Sequence, residues 1–176
     1  VLWSWHIWLT DKPEEQTYFN NAGTMMDRNL GATSATPGDV GALGLLYQWG
    51  RKDPFLGSSS TGSAKAAAAM HGNWQNVQSN SATGTIAYTI AHPTIFVYQN
   101  TANNDWYYSS SSATDNTRWT ASDKEKSIYD PCPAGWRVPD GGENGLWALA
   151  AGSSDSFTNT FDLIDKGMNL SGKFSS

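Results

Sequence analysis

The chain has 176 residues, a length that suits one domain, and a formal net charge of −5 from 11 Lys+Arg against 16 Asp+Glu. No basic stripe offers a footprint for nucleic acid or an anionic membrane, and no apolar run reaches the 18 residues of a membrane span. Charged residues make up only 15% and tryptophan reaches 9 copies, so a few large rings must build the core, in a composition habitual among secreted β-rich proteins.

Val1 to Leu9 alternates. Val1, Trp3, Trp5, Ile7 and Leu9 share one face, which predicts a strand with that face in the core. The same tryptophans would suit a sugar-stacking platform, but their aliphatic neighbours favour the core reading. Asp11 to Glu15 is a polar turn, and Thr24 to Asp27 reads as a second strand. From Asp39, the positions Leu43, Leu46, Tyr47 and Gly50 follow helical spacing, predicting a helix near 40–50 that stops before Pro54. Gly41 and Gly44 weaken that helix by ~1 kcal/mol each relative to alanine. Residues 57–62 form a Gly/Ser loop, and Ala64 to Met70 suits two turns of helix. Thr85 to Ile90 alternates weakly as a strand, His92-Pro93-Thr94 turns the chain, and Ile95 to Tyr98 is another short strand.

Residues 99–126 form a long polar loop, and Trp106, Tyr107, Tyr108 and Trp119 are the anchors that keep it ordered. Tyr129-Asp130-Pro131-Cys132-Pro133-Ala134-Gly135-Trp136-Arg137-Val138-Pro139 holds three prolines, which exclude a helix or a central strand and require a braced turn. Asp140 as N-cap, Glu143 at the capping-box position and Gly152 as stop predict a helix over 142–151. The expected core is Trp3, Trp5, Ile7, Leu46, Trp49, Trp136, Val138 and Trp147.

Chemistry-bearing patterns are few. His6, His71 and His92 are far apart, without zinc spacing, and no nucleophile elbow, phosphate loop or calcium-loop pattern occurs. Cys132 stands between two prolines with no histidine near it in sequence, which predicts an unactivated thiol. Arg28 and Arg137 read as structural, paired with Asp27 or Asp130. Asn103, Asn104 and Asp105 carry oxygens that calcium accepts, yet a polar turn is the simpler reading, so neither metal nor cofactor is expected. Flat rings beside amides and a carboxylate suit sugars. Asn103, Asn104, Asp105, Trp106, Tyr107 and Tyr108 are therefore the candidate ligand-binding residues, and the plainer alternative is that these rings pin the loop to the domain.

Three motifs stand in order: Met26-Asp27-Arg28-Asn29-Leu30-Gly31-Ala32, then Gly44 to Phe55, then the Asp-Pro-Cys-Pro turn with its tryptophan-bearing helix. Together they make residues 1–152 resemble the FISUMP-type major paralogous domain of surface proteins and lipoproteins in Bacteroidetes-like bacteria, found beside fimbrillin-like modules. The resemblance implies an α+β, C-type-lectin-like fold, similar also to formylglycine-generating enzymes, with a small antiparallel sheet, two short helices and long loops. It implies one lectin-like domain over 1–176, trimmed at both ends, running from the N-terminal strand through the helix after the Pro-Cys-Pro turn. In the domains this chain resembles, the cysteine of this turn usually has a partner in a final strand, and this sequence holds no second cysteine to match it. Formylglycine-generating enzymes use a pair of redox cysteines, and this chain has one, so no enzyme is expected. The implied role is a non-catalytic, secreted or outer-surface adhesion module that binds glycan or protein. The alternative is a structural subunit of a surface fibre or stalk. Nucleic acid and direct membrane insertion are not expected, and oligomeric state is left open.

Overall fold

The computed structural model describes residues 1–18, 20–36, 39–56, 74–98, 105–109, 117–120, 125–141, 145–151, 161–162 and 167–168. The protein is α+β and built of short elements. Among the described residues there are four two-stranded sheets, three antiparallel and one parallel, and two six-residue helices. One small antiparallel sheet was the expectation; the strands run only two to four residues and pair two by two instead. No described helix is long and apolar enough to cross a membrane.

The chain forms two compact units. The first takes Val1–Ile7, Leu45–Gly57 and His71–Val138, the second Trp8–Gly44, Ser58–Met70 and Pro139–Ser176.

In the second unit, β1 (Glu15–Tyr18) and β2 (Gly23–Met26) form a hairpin. Asn20 and Asn21 both take the left-handed conformation, φ 60° and 54°, which asparagine tolerates better than other non-glycine residues. The Thr17 and Thr24 hydroxyls meet across the pair at 3.0 Å. Tyr18 packs with Leu146 and Ala150 of a helix over Leu146–Ala151, and Ala22 and Met25 close the cluster. That helix starts six residues after Asp140, whose backbone carbonyl accepts the Leu146 N–H at 3.3 Å. Glu143, Gly152 and the side chain of Trp147 lie outside what is described. A second hairpin pairs Phe161–Asp162 with Gly167–Met168.

Arg28 is the polar centre of this unit. Its buried guanidinium donates to both Asp27 oxygens at 2.8 and 3.1 Å, to Asp11 at 2.6 Å and to the Thr10 hydroxyl at 3.0 Å. The pairing expected with Asp27 is present, and Asp11 joins it. The indole of Trp8 donates to the Ala32 carbonyl at 2.8 Å, and Ala32 is fully buried.

The helix expected near 40–50 is absent. Asp39 caps a single 3-10 turn, Val40–Ala42, by accepting the Gly41 N–H. Gly44 then takes φ +69°, outside the helical range, and a Cβ there would stand 2.6 Å from the Leu30 carbonyl oxygen. The glycine that weakens a helix in sequence here turns the chain away from one.

In the first unit, β3 (Leu46–Tyr47) pairs antiparallel with β4 (Pro54–Phe55), and β5 (Asn76–Gln78) pairs parallel with β6 (Phe96–Tyr98). The crossover between β5 and β6 carries α1 (Ile86–Ala91), where a strand was expected. Local capping decides the matter. The Thr85 hydroxyl accepts the Tyr88 N–H at 3.1 Å, and Thr89 bonds back to the Ile86 carbonyl at 2.9 Å. Phe55, Trp74 and Phe96 make a ring triangle with centroids 5.3–5.5 Å apart, and Val97 is fully buried.

The N-terminal strand and the core built on it are also corrected. Among the described residues Val1–Leu9 pairs with no strand; Trp5 and Ile7 are 80% and 84% exposed, and Leu9 is exposed too. Leu46 and Trp49 are part-exposed, while Trp3, Trp136 and Val138 are only half-buried. Among the described residues, the buried rings of the first unit are Phe55, Trp106 and Trp119. Alternation places these residues on one face, but without a paired strand among the described residues it does not by itself turn that face inward.

Candidate binding face around Tyr98 and Tyr108

Gly50-Arg51-Lys52-Asp53 organises the first unit. Gly50, at φ +83°, lies flat against the Arg118 side chain, where a Cβ would come within 2.5 Å of Nε. Arg51 is buried and spreads its guanidinium over carbonyls: Ile95 at 2.9 Å, Pro93 at 3.3 Å and His92 at 3.5 Å, with the Gln48 side chain at 2.6 Å. A cation at the end of α1 also suits the helix dipole. Burial pushes the Arg51 guanidinium down to about 10, with the Asp53 charge pulling upward, so it remains a cation at neutral pH.

The two loop tryptophans are bolted to the same turn. Trp119 donates its indole N–H to the Arg51 carbonyl at 2.9 Å, and Trp106 donates its own to the Trp49 carbonyl. Trp49 and Trp119 pack at 4.6 Å between centroids. Arg118 pairs with Asp105 at 2.6 Å and places its charge 5.3 and 5.1 Å from the Trp106 and Tyr107 rings.

Of the six residues singled out in sequence, Asn103 and Asn104 lie outside the described residues. Asp105 is held by Arg118 and accepts the Tyr107 N–H at 3.2 Å. Trp106 is only 4% exposed, so its ring faces the interior and offers no surface to a ligand. Tyr107 is half-buried, and Tyr108 is exposed. The loop is therefore pinned by Trp106 and presents Tyr108.

What Tyr108 faces was not singled out from sequence. The Tyr108 N–H donates to the Gly84 carbonyl at 2.8 Å, and the Ser79 hydroxyl donates to the Trp106 carbonyl at 2.7 Å. The Ser79 N–H donates in turn to the carbonyl of Tyr98, another exposed ring. Residues 79–84 thus form a turn whose two ends bond the backbones of two exposed tyrosines. The turn is rigid: Asn80 Oδ1 accepts the Ala82 and Thr83 N–H groups at 2.8 and 3.1 Å, and the Thr83 hydroxyl bonds the Gln78 carbonyl at 2.5 Å. Gln78 and Asn80 are exposed beside it. The run Ser-Asn-Ser-Ala-Thr-Gly was the available signal, as a sequence of turn formers.

Two other polar clusters test for reactive chemistry. Ser4 Oγ lies 2.6 Å from Asp53 and 2.5 Å from Lys52 Nζ. Lys52 donates to both Asp53 oxygens at 2.8 and 3.0 Å and to the Ser4 carbonyl at 2.9 Å, so its Nζ is engaged as a hydrogen-bond donor. The cluster works as an anchor for the N-terminal segment, reinforced by Lys52 over the Trp3 ring at 4.5 Å.

The Pro-Cys-Pro turn is the other cluster. Asp130 is buried and accepts the Cys132 N–H at 2.8 Å and the Val138 N–H at 2.9 Å, spanning the whole turn. Lys126 Nζ gathers the carbonyls of Cys132, Trp136 and Pro133 at 2.5, 2.9 and 3.2 Å. Burial, then the Asp130 charge, pushes the Cys132 thiol up to about 12, the opposite of activation. Asp130 thus serves backbone N–H groups, while Arg137 donates to the Val138 carbonyl at 3.0 Å. Among the described residues no group of three His, Cys, Asp or Glu is placed to hold a metal ion.

No family model, curated protein or solved structure matches the chain.

Proposed function

We propose that this chain is a non-catalytic binding module, secreted or held at the outer surface of a bacterium, which recognises glycan through the face bearing Tyr98 and Tyr108. The observation that carries the reading is the exposure of these two tyrosines, whose backbones bond the two ends of the 79–84 turn, with Gln78 and Asn80 exposed in the same stretch. Sugar rings present apolar C–H faces and many hydroxyls, and flat phenols with amide neighbours match both at low entropic cost. The ordered motifs support assignment to the FISUMP-type domain with a C-type-lectin-like fold, and the pinned loop agrees with a rigid ligand face. The raised Cys132 thiol and the ion-paired Lys52 support a role without catalysis.

Glycan-array binding tests the proposal. Tyr98→Ala and Tyr108→Ala together should weaken binding at least tenfold, ~1.4 kcal/mol, with the circular dichroism unchanged. Unaltered binding in the folded double variant removes the site from this face, and binding to no glycan at all removes the substrate class.

A second reading, a structural subunit of a surface fibre or stalk, is favoured by one observation: the N-terminal segment exposes large apolar side chains.

A further inference from the structure

We infer that Val1–Ile7 is a self-association strand, and that its partner is the same segment of a second copy of this chain, paired antiparallel. The inference is independent of glycan binding and rests on four features of the segment.

The backbone is available. Among the described residues, no backbone–backbone hydrogen bond engages Val1–Ile7, and of its backbone groups the Ser4 carbonyl takes Lys52 Nζ at 2.9 Å. The segment is also held in place. Ser4 bonds Asp53 and Lys52, and Lys52 lies over the Trp3 ring, so the entropy of ordering the strand is already lost before association.

The side chains left outside are apolar apart from His6. Leu2 is 97% exposed, Trp5 80% and Ile7 84%. Exposed edges in monomeric proteins are protected by charges, prolines or bulges, and residues 1–7 contain no Asp, Glu, Lys, Arg or Pro.

The segment is complementary to itself. Antiparallel pairing about a two-fold axis at Trp5 sets Trp5 beside its own copy and Ile7 opposite Trp3, keeping the odd positions of both strands on one face. Aromatic–aromatic and aromatic–β-branched cross-strand pairs are the favourable ones. The protein carries a net charge of −5, and this uncharged stretch is where two copies meet without opposing like charges. Pairing residues 3–7 of the two copies covers Trp5, Ile7 and the paired backbone, less than the roughly 1,000 Å² of a stable specific interface, so the dimer is weak and concentration-dependent.

Sedimentation equilibrium on the whole chain tests this. The mass should rise from monomer towards dimer between about 1 and 100 µM, the range of weak interfaces. Trp5→Ser with Ile7→Ser, both exposed and outside the core, should raise the dissociation constant at least tenfold with unchanged circular dichroism. Leu56→Ser, at an exposed leucine elsewhere in the same unit, should leave it unchanged. A chain that stays monomeric to 100 µM overturns the inference and leaves the strand to another protein. A dimer that survives the double substitution overturns it too, by placing the contact elsewhere.

Discussion

Trp106 and Tyr108 stand two residues apart in one polar loop, yet they have opposite energetic roles. Trp106 fills the first unit and spends its indole N–H on the Trp49 carbonyl, so Trp106→Ala should cost ~3–5 kcal/mol in chemical denaturation. Tyr108→Ala removes an exposed ring and should stay within about 0.5 kcal/mol. A Trp106→Ala protein of unchanged stability would show that the loop does not dock as described. Cys132 makes a prediction in pH. Its folded-state thiol is raised to about 12, chiefly by burial, whereas an unfolded thiol ionises near 9.0. The folded protein holds the proton more tightly, so the associated stability is complete below pH 9 and is lost as pH climbs towards 12. Burial raises the Tyr47 phenol as well, so the comparison of wild type with Cys132→Ser isolates the thiol: the wild type should lose more stability over that window. Iodoacetamide should label Cys132 more slowly than a free thiol at pH 8, and faster labelling would show an activated cysteine.

At the scale of the element, short pieces are held by caps and by side chains that reach across the chain. The helix Ile86–Ala91 has six residues, too few to stand by propensity, and depends on its Thr85 cap and on Arg51 at its far end. Thr85→Ala should cost about 1 kcal/mol in thermal or urea unfolding. Gly84→Ala should do something different. A Cβ there would lie 2.3 Å from Ser79 Oγ and 2.6 Å from the Tyr108 Cβ, so one of the two must move. The substitution should lower the melting temperature and also weaken glycan binding through Tyr108. A protein with normal stability and normal binding after Gly84→Ala would contradict the packing of that turn.

For the whole molecule, the described regular structure is sparse: helices of six residues and strands of two to four. Far-UV circular dichroism should accordingly be weak in helix, and a helix-dominated spectrum would refute the α+β assignment. With short regular elements to rely on, order comes from individual side chains that span long sequence distances, Arg51 to the 92–95 carbonyls, Trp119 to Arg51 and Ser79 to Trp106, and locally from Asp130 across the Pro-Cys-Pro turn. Such networks are cooperative, so removing one buried polar partner costs more than one hydrogen bond.

By itself the sequence determined what depends on a single residue's chemistry or on its immediate neighbours. The prolines around Cys132 required a turn, Thr24–Asp27 and Ile95–Tyr98 carried enough β-formers for short strands, and Asp27 beside Arg28 was a pair in waiting. The tertiary structure decided whatever depended on a distant partner. Val1–Leu9 alternates like a core strand but lies exposed, because alternation says which residues share a face and not whether a ladder will receive them. Thr85–Ile90 is β-branched yet helical, because a cap and a distant arginine outweigh a few tenths of a kcal/mol of propensity per residue. The candidate face divides on the same ground. That an aromatic loop would be anchored follows from its composition. Trp106 as the anchor, Tyr108 as the ring left in solvent and Tyr98 as its companion follow only from the 79–84 turn and the Trp49 carbonyl. Those groups lie 24 residues or more from the loop residues they bond, and no local pattern could bring them together.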